Sequence, residues 1–148
     1  MHPSGKRAAR PPQFETAPLE LTRPGKLHFV KLFKNGICQF DEFLGQLFSE
    51  GGYEKEVANA VSIMDQRTRL KSLPGEKHHD LGTYTLNMPR RAPYTVRLYE
   101  IKTASLRIYY FHHPPDEEVV ILMGKKNEQD QDINTFTSLV DQYLRFIS

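Results

Sequence analysis

Three consecutive stretches in the C-terminal half of the chain have the side-chain pattern of β-strands. Residues 94–102 (YTVRLYEIK) and 106–112 (LRIYYFH) alternate between two faces, and residues 119–123 (VVILM) are wholly apolar. The segments that join them, TAS at 103–105 and PPD at 114–116, are typical of turns. Strands joined this closely pair as antiparallel neighbours, so the chain must fold around a small antiparallel-rich sheet.

Helical patterns lie on both sides of these strands. Apolar residues recur at helical spacing over 41–49 and 53–70, with Gly51-Gly52 between them, which predicts a helical hairpin. Residues 132–147 show the spacing of an amphipathic C-terminal helix. A weakly alternating strand is expected at 27–33. Residues 71–93 are loop-like, with one short strand near 82–87.

The predicted order is β-α-α-(β)-β-β-β-α, which defines an α+β domain with an N-terminal helical hairpin and a C-terminal helix. The length of 148 residues suits a single modest core. Residues 1–25 are rich in Pro, Arg and Ala and lack apolar periodicity, so we expect a disordered or loosely attached arm. Residues 26–148 then form the folded domain.

Cysteine content and hydropathy indicate the compartment. Cys38 is the one cysteine, so no intramolecular disulfide forms, and its apolar neighbours predict a buried, unreactive thiol. No apolar run has the length of a membrane span, and no apolar stretch of a secretion signal follows the basic N-terminus. We therefore expect a cytoplasmic protein with no membrane partner.

Four cations are expected at one end or one face of the sheet. Lys102 ends the first of the three strands, Arg107 lies near the start of the second, and Lys125 and Lys126 follow the third. Positive charge clustered on a rigid sheet suits a phosphodiester ligand. A solvated polar strip in which Glu100 pairs with Lys102 fits the same residues equally well.

Aromatic and histidine side chains extend this candidate site. Tyr109 shares a strand face with Arg107, so its ring is placed to stack on a base while the guanidinium binds phosphate. The vicinal pairs His78-His79 and His112-His113 are candidates for proton transfer, and a plain loop role is the competing interpretation for each.

Other chemistries have no sequence support. Vicinal histidines on a strand point to opposite faces, and no further ligand stands at metal-binding spacing. The motifs GxGxxG, GxxxxGK[ST], HExxH and GxSxG are absent from the sequence, which argues against hydride transfer, P-loop nucleotide hydrolysis and serine hydrolysis. We therefore expect neither a metal nor a cofactor.

The segments LYEIK, LRIYYF and VVILMGKK, followed by an amphipathic helix, resemble the RelE/HigB superfamily of toxins from bacterial type II toxin–antitoxin systems. The resemblance covers the element order of residues 27–147 and is residue-specific over 96–126. It implies a RelE-like fold and a metal-independent, ribosome-dependent mRNA endonuclease that inhibits translation. It also implies a cognate antitoxin, encoded by an adjacent gene, that covers the basic face.

The resemblance assigns roles residue by residue. Lys102 takes the basic position that ends an LYELR-like strand, and Arg107 takes the arginine of the next strand. Lys125 and Lys126 fall on the basic turn. The implied roles are phosphate binding and stabilisation of transition-state charge, with one lysine as base. The candidate catalytic residues are Lys102, Arg107 and Lys126, and the candidate RNA- or phosphate-binding residues are Arg97, Tyr109, Lys125, His79 and His112.

Two alternatives stay open. The related ParE branch inhibits DNA gyrase, and a chain of the same fold could act in that way. A non-catalytic domain that binds only an antitoxin or RNA is the other, favoured by the acidic residues that follow the basic turn at 127–130 (NEQD) and by the lack of a tyrosine shortly after that turn.

Overall fold

The computed structural model describes residues 10–148, and over these residues three helices cover a six-stranded sheet. Lys6 and Arg7 of the predicted arm lie outside the described residues. In chain order the elements are β1 (Phe14–Pro18), β2 (His28–Lys34), α1 (Gln39–Glu50), α2 (Glu54–Thr68), β3 (His78–Leu86), β4 (Tyr94–Lys102), β5 (Leu106–His113), β6 (Glu117–Lys125) and α3 (Gln129–Ile147), with a 3-10 turn at Lys126–Glu128 before α3.

The sheet is mixed, with strand order β1-β2-β6-β5-β4-β3. Every neighbouring pair is antiparallel except β2 and β6, which run parallel. The short turns expected between β4 and β5 and between β5 and β6 are present, and both connect antiparallel neighbours. The α+β class and the C-terminal helix are therefore confirmed.

Alternation along the central strands divides the core into two layers. Tyr109 and Phe111 of β5 pack with apolar residues of α3, whereas Ile108 and Tyr110 pack with those of α1 and α2. We call these the α3 face and the α1/α2 face of the sheet. A strand that is buried on both faces has no polar side, which explains the continuous apolar run in β6.

The first helix begins two residues before the predicted 41–49 and ends at the glycines that the sequence indicates. Cys38 is its N-cap, because its Sγ accepts a hydrogen bond from the Asp41 N–H at 3.5 Å, and Asp41 is a first-turn acid. Gly51 ends the helix at φ +80°, a conformation that favours glycine. Cys38 is buried with a free thiol, as expected, and its burial raises the pKa of that thiol.

The N-terminal region differs from the expectation at two places. Residues 14–18, assigned to a disordered arm, form β1 and pair with β2 from Phe14↔Lys34 to Pro18↔Val30. Two strands therefore precede α1 and α2, where we expected one, so the N-terminal position that we predicted for the helical hairpin is wrong. Phe14 is the inward residue of β1 and packs edge-on against Tyr143 and Phe146 of α3. A single inward side chain leaves no periodicity in the sequence.

The short strand expected near 82–87 is longer and starts earlier. β3 pairs with β4 from His78↔Ile101 to Leu86↔Tyr94, with a bulge between Asp80 and Gly82. Most of its side chains are exposed or half-buried because it is an edge strand, so the alternation that reveals a strand is weak. Among the described residues, no helix combines the length and apolar character that crossing a bilayer requires.

Candidate functional site

The four cations lie at the same end of the sheet, as expected. Lys102 is the direct cross-strand partner of Arg107, and Leu106 is the partner of Lys125. The backbone N–H of Lys126 donates to Ser105 O at 2.8 Å, which holds the turn after β6 against the β4–β5 turn. Their side chains, however, are divided between the two faces.

Lys125 points to the α1/α2 face. Its Nζ lies 3.0 Å from Glu50 Oε1 and 5.5 Å from the centroid of the Tyr53 ring. The hydrogen bond to Glu50 raises the pKa of Lys125, so this ammonium stays charged and engaged. It is not directed at the same ligand as Lys102 and Arg107, which lie on the α3 face.

Arg107 is 7% exposed and is fixed by its own turn. Its Nη1 donates to Thr103 O at 2.7 Å and to Leu106 O at 2.8 Å. Its Nε is buried and has no hydrogen-bond partner. The carbonyls of the turn thus orient the guanidinium, and its buried Nε–H is left without a partner in the protein.

Glu100 is fully buried between these cations and the start of α3. Its Oε2 accepts a hydrogen bond from Gln129 Nε2 at 2.8 Å. Its Oε1 lies 3.8 Å from Lys102 Nζ and 3.7 Å from His79 Nδ1. A buried carboxylate needs such positive neighbours to offset its lost hydration. The pairing of Glu100 with Lys102 is therefore present, but it is a buried contact and not a solvated strip.

Tyr109 is buried beside Glu100, with its ring 5.5 Å from that of Phe136. Burial, and then the charge of Glu100, raise the pKa of its hydroxyl well above the usual range. The ring has no open face for a base, so Tyr109 cannot provide the stacking we expected. Its hydroxyl, which has no hydrogen-bond partner, is the part that faces the site.

Asp132 enters the site from α3 across a glycine. A Cβ added to Gly124 would fall 1.8 Å from Asp132 Oδ2, so only a glycine in β6 lets this carboxylate lie against the strand. Burial raises the pKa of the Asp132 carboxyl, with a smaller contribution from Glu128. Gly124 is the cross-strand partner of Arg107, and after burial and Glu100 the charge of Asp132 also raises the pKa of the Tyr109 hydroxyl, which places Asp132 in the same cluster.

The buried polar atoms that lack a partner are concentrated here. In residues 10–148 they are Glu100 Oε1, Arg107 Nε, Tyr109 Oη and Asp132 Oδ2. Buried polar groups in folded proteins are nearly always hydrogen-bonded, so a group of orphans in one place marks a site built for something other than stability. We call this site the Glu100 cluster, and its members are His79, Glu100, Lys102, Arg107, Tyr109, Gln129 and Asp132.

Two surface grooves approach the cluster. One, of about 490 Å³, lies between α2 and the β4–β5 turn, and Lys102 and Lys77 are among its lining residues. The other, of about 330 Å³, lies between α1 and α3, and its floor includes Gly124 and Asp132. Lys102 and Asp132 are therefore the members of the cluster that line these two grooves.

Arg97 and His112 lie away from the cluster. They are cross-strand partners, five residues along β4 from Lys102, which is about 16 Å of extended strand. Arg97 Nη1 is 2.9 Å from Asp80 Oδ2, and His112 Nδ1 contacts Glu118 Oε1. Both side chains point to the α1/α2 face, so they do not join Lys102 and Arg107 in one phosphate site.

A second buried polar network holds α2 to that face. Arg67 Nε lies 3.1 Å from the fully buried Glu118, and Tyr110 Oη lies 2.5 Å from His78 Nε2. Burial, and then the charge of Arg67, lower the pKa of His78 to about 4. None of the unpartnered buried atoms in the described chain belongs to this network, which is typical of a structural role.

Sequence reasoning missed three members of the cluster as site residues. Glu100 had a usable signal, because it shares a strand face with Val96 and Leu98 and a carboxylate on an apolar face is unusual. Gln129 and Asp132 had none, because they lie at the start of a helix whose packing direction is set by the fold.

Comparisons with known proteins add no identification. No family model matches the chain, no curated protein matches it, and no solved structure matches it. Within residues 10–148, no three His, Cys, Asp or Glu side chains are grouped so that they could hold a metal ion.

Proposed function

We propose that this protein is a RelE-like toxin of a type II toxin–antitoxin system that cleaves mRNA on the ribosome without a metal. The observation that carries the proposal is the pairing of Lys102 and Arg107 across two strands beside buried polar atoms that have no partners. The order of elements from β2 to α3 also supports it, because a strand, two helices, the antiparallel strands β4 to β6 and a C-terminal helix follow the RelE/HigB pattern, with β3 as an additional strand before β4.

The chemistry follows from what RNA cleavage requires. Attack of a ribose 2′-oxygen on the neighbouring phosphorus builds negative charge on the phosphoryl oxygens. Arg107, preoriented by two carbonyls and with Nε still free, is suited to bind that charge. Lys102 adds a second cation on the same face, and the exposed Lys126 adds a third at the turn. The cognate antitoxin from the adjacent gene would neutralise the toxin in the cytoplasm by covering this end.

A second candidate is a non-catalytic domain of the same fold that binds an antitoxin or RNA. Lys102 faces Glu100, Lys125 faces Glu50, and Asp132 lies over Gly124, the cross-strand partner of Arg107. Within residues 10–148, Lys126 is the one of the four cations that has neither an ion pair nor a bond to a carbonyl from its side chain. Carboxylates this close weaken an anion site, which favours binding without turnover.

The test is cleavage of a defined mRNA by the purified chain, with and without ribosomes, together with growth after induction of the chain alone or with its neighbouring gene. We expect cleavage and growth arrest, both abolished by the neighbouring protein. Arg107→Lys, which keeps the charge and loses the planar fork, should reduce the rate by about 100-fold, and Lys102→Ala by a similar factor. The control Arg145→Ala removes an exposed arginine of α3 that pairs with Asp141 and should leave the rate unchanged.

Three outcomes separate the candidates. RNA binding without any cleavage product on ribosomes would support the non-catalytic domain. Inhibition of DNA supercoiling in a gyrase assay, with mRNA intact, would support the ParE-like alternative. If neither Arg107→Lys nor Lys102→Ala changed the rate of mRNA cleavage, this site would be ruled out as the source of the activity.

A further inference from the structure

β3 lies outside the resemblance, yet it brings a histidine to the Glu100 cluster. His79 is the direct cross-strand partner of Glu100, and the two side chains lie on the α3 face. His79 Nδ1 is 3.7 Å from Glu100 Oε1, and the imidazole is 52% exposed. A ring with one nitrogen against a buried carboxylate and the rest in solvent has the arrangement of a proton-transfer histidine.

Glu100 has the features of a group that orients such a ring. Gln129 fixes one of its oxygens by a hydrogen bond of 2.8 Å, while the other oxygen has no hydrogen-bond partner. A carboxylate held in this way favours the tautomer that carries its proton on Nδ1 and leaves the Nε2 lone pair free. The separation of 3.7 Å exceeds a hydrogen bond, and catalytic contacts often tighten only when the substrate binds.

We propose that His79 is the general base of the cleavage reaction and that Glu100 is its positioning residue, an inference that rests on the proposed function. Neutral His79 takes the proton of the 2′-hydroxyl at Nε2 as the 2′-oxygen bonds to phosphorus. The bond from phosphorus to the 5′-oxygen breaks, and that oxygen takes a proton from the Lys102 ammonium. The products are a 2′,3′-cyclic phosphate and a 5′-hydroxyl, and proton exchange with water restores both side chains.

The positions of His79 and Lys102 support this division of roles. Both flank the same oxygen, Glu100 Oε1, at 3.7 Å and 3.8 Å, so a single buried carboxylate sets the distance between base and acid. The other charged or titratable groups of the cluster come from β5 and α3, namely Arg107, Tyr109 and Asp132. His78, the neighbour on β3, faces the opposite side of the sheet and bonds to Tyr110.

The experiment measures ribosome-dependent cleavage by the full chain between pH 5 and pH 8. In the wild type, we expect the rate to rise with pH through the range in which histidine titrates and then to level off. His79→Gln should lower the plateau by about 100-fold or more and remove the rising limb. The control is His28→Gln, because His28 also faces carboxylates, Asp116 and Glu117, at the other end of the sheet. The His28→Gln variant should keep both the plateau rate of the wild type and its rise in rate with pH.

Glu100→Gln separates positioning from a merely structural role. Without the carboxylate the imidazole loses the acceptor that holds its tautomer, so the plateau rate should fall while the variant stays folded. Nitrogen NMR of the imidazole gives a readout that does not depend on activity. Above the titration range His79 should carry its proton on Nδ1 in the wild type, and this preference should weaken in Glu100→Gln.

Failure of this inference is distinguishable from failure of the proposed function. A wild type that cleaves, with a His79→Gln variant of normal rate and normal pH profile, overturns the base assignment alone. An Nε2–H tautomer of His79 in the wild type, or a tautomer preference that Glu100→Gln does not weaken, overturns the role of Glu100. A wild type that does not cleave mRNA on ribosomes overturns both the proposed function and the base assignment.

Discussion

A single buried carboxylate, Glu100, sets the character of the functional end of this protein. Its Oε1 lies 3.8 Å from Lys102 Nζ and 3.7 Å from His79 Nδ1, and its Oε2 accepts a hydrogen bond from Gln129 Nε2. A cluster of lysine and arginine alone would bind any polyanion. A carboxylate between Lys102 and His79 sets the distance of each from one oxygen, and these are the two side chains that we propose as acid and base. The same residue explains why the positive charge of the strands is not simply displayed to solvent.

Gly124 is the residue whose size most directly controls the cluster. Gly124→Ala places a methyl group where the Asp132 carboxylate lies, 1.8 Å from Oδ2, and should lower the free energy of unfolding by about 1 to 3 kcal/mol. In an Asp132→Ala background the same substitution should cost much less, because the clashing atoms are gone. Urea unfolding of the four proteins in this double-mutant cycle measures the coupling.

Gly45 of α1 provides the control for that substitution. A Cβ at this position meets nothing within 4 Å, so Gly45→Ala should stabilise the protein by roughly 0.5 to 1 kcal/mol through helix propensity. If Gly124→Ala lowered the free energy of unfolding by the same amount with and without the Asp132 carboxylate, the packing described for this carboxylate would be contradicted.

At the scale of elements, the two outer strands modify a central four-stranded unit. β2, β6, β5 and β4 are consecutive neighbours in the sheet, and β1 and β3 extend it at its two edges. β3 supplies His79 to the site, while β1 supplies Phe14 to the core under α3. Each edge strand therefore adds a side chain that the central strands do not provide, a histidine for the site from β3 and an aromatic ring for the core from β1.

The contribution of β1 is open to a direct test. Phe14→Ala removes a buried ring that packs edge-on against two aromatic rings of α3, and it should cost about 3 kcal/mol of stability. Thr16→Ala, at an exposed position of the same strand, is the control and should change stability by less than about 0.5 kcal/mol. If Phe14→Ala were as mild as Thr16→Ala in urea unfolding, residues 14–18 would be the loose arm that we first expected.

For the whole molecule, the two faces of the sheet have different kinds of polar network. The α3 face contains the unpartnered atoms of the Glu100 cluster, and the α1/α2 face contains the paired network of Arg67, Glu118, Tyr110 and His78. Burial raises the pKa of Tyr110 and lowers that of His78, so both stay neutral near pH 7. One side of the sheet is thus suited to bind, and the other holds α2 in place.

The pH dependence of stability follows from His78. Its pKa is lowered from 6.5 to about 4 in the folded state, so the unfolded chain takes up a proton first as the pH falls. The stabilisation from neutral His78 is full above pH 6.5 and is lost between there and about pH 4. Allowing for partial solvent screening, this amounts to roughly 2 to 3 kcal/mol.

Urea unfolding at several pH values checks this expectation. His78→Phe keeps a ring against Tyr99 and removes the titrating group, so it should weaken the loss of stability between pH 6.5 and pH 4. Its stability at pH 7 should also fall by about 1 kcal/mol, because the Tyr110 hydroxyl loses its partner. His28→Gln is the control and should retain the slope of the wild type. An unchanged slope in His78→Phe would contradict the assignment.

Sequence patterns predicted the central strands well because the burial of those strands produces a clear local pattern of apolar residues. The bounds of β4 match the predicted 94–102. Alternation along β5 also predicts that Arg107 and Tyr109 lie on one face of the sheet and that Ile108 and Tyr110 lie on the other. The common end of the four cations follows from short turns between antiparallel strands. β1 and most of β3 escaped prediction, because edge strands with few inward side chains carry little periodicity.

The sequence by itself determined the α+β class, the β4–β5–β6 meander and the end of the sheet where Lys102 and Arg107 meet. Only the tertiary structure decided which charges face each other: Glu100 with His79 from β3 and Gln129 from α3, Lys125 with Glu50, and Asp132 over Gly124. The physical reason is the range of the forces involved. The alternation of apolar and polar residues predicts the burial of a residue relative to its neighbours in the chain. A polar contact between distant segments depends on strand order and helix placement, and no local sequence pattern predicts these.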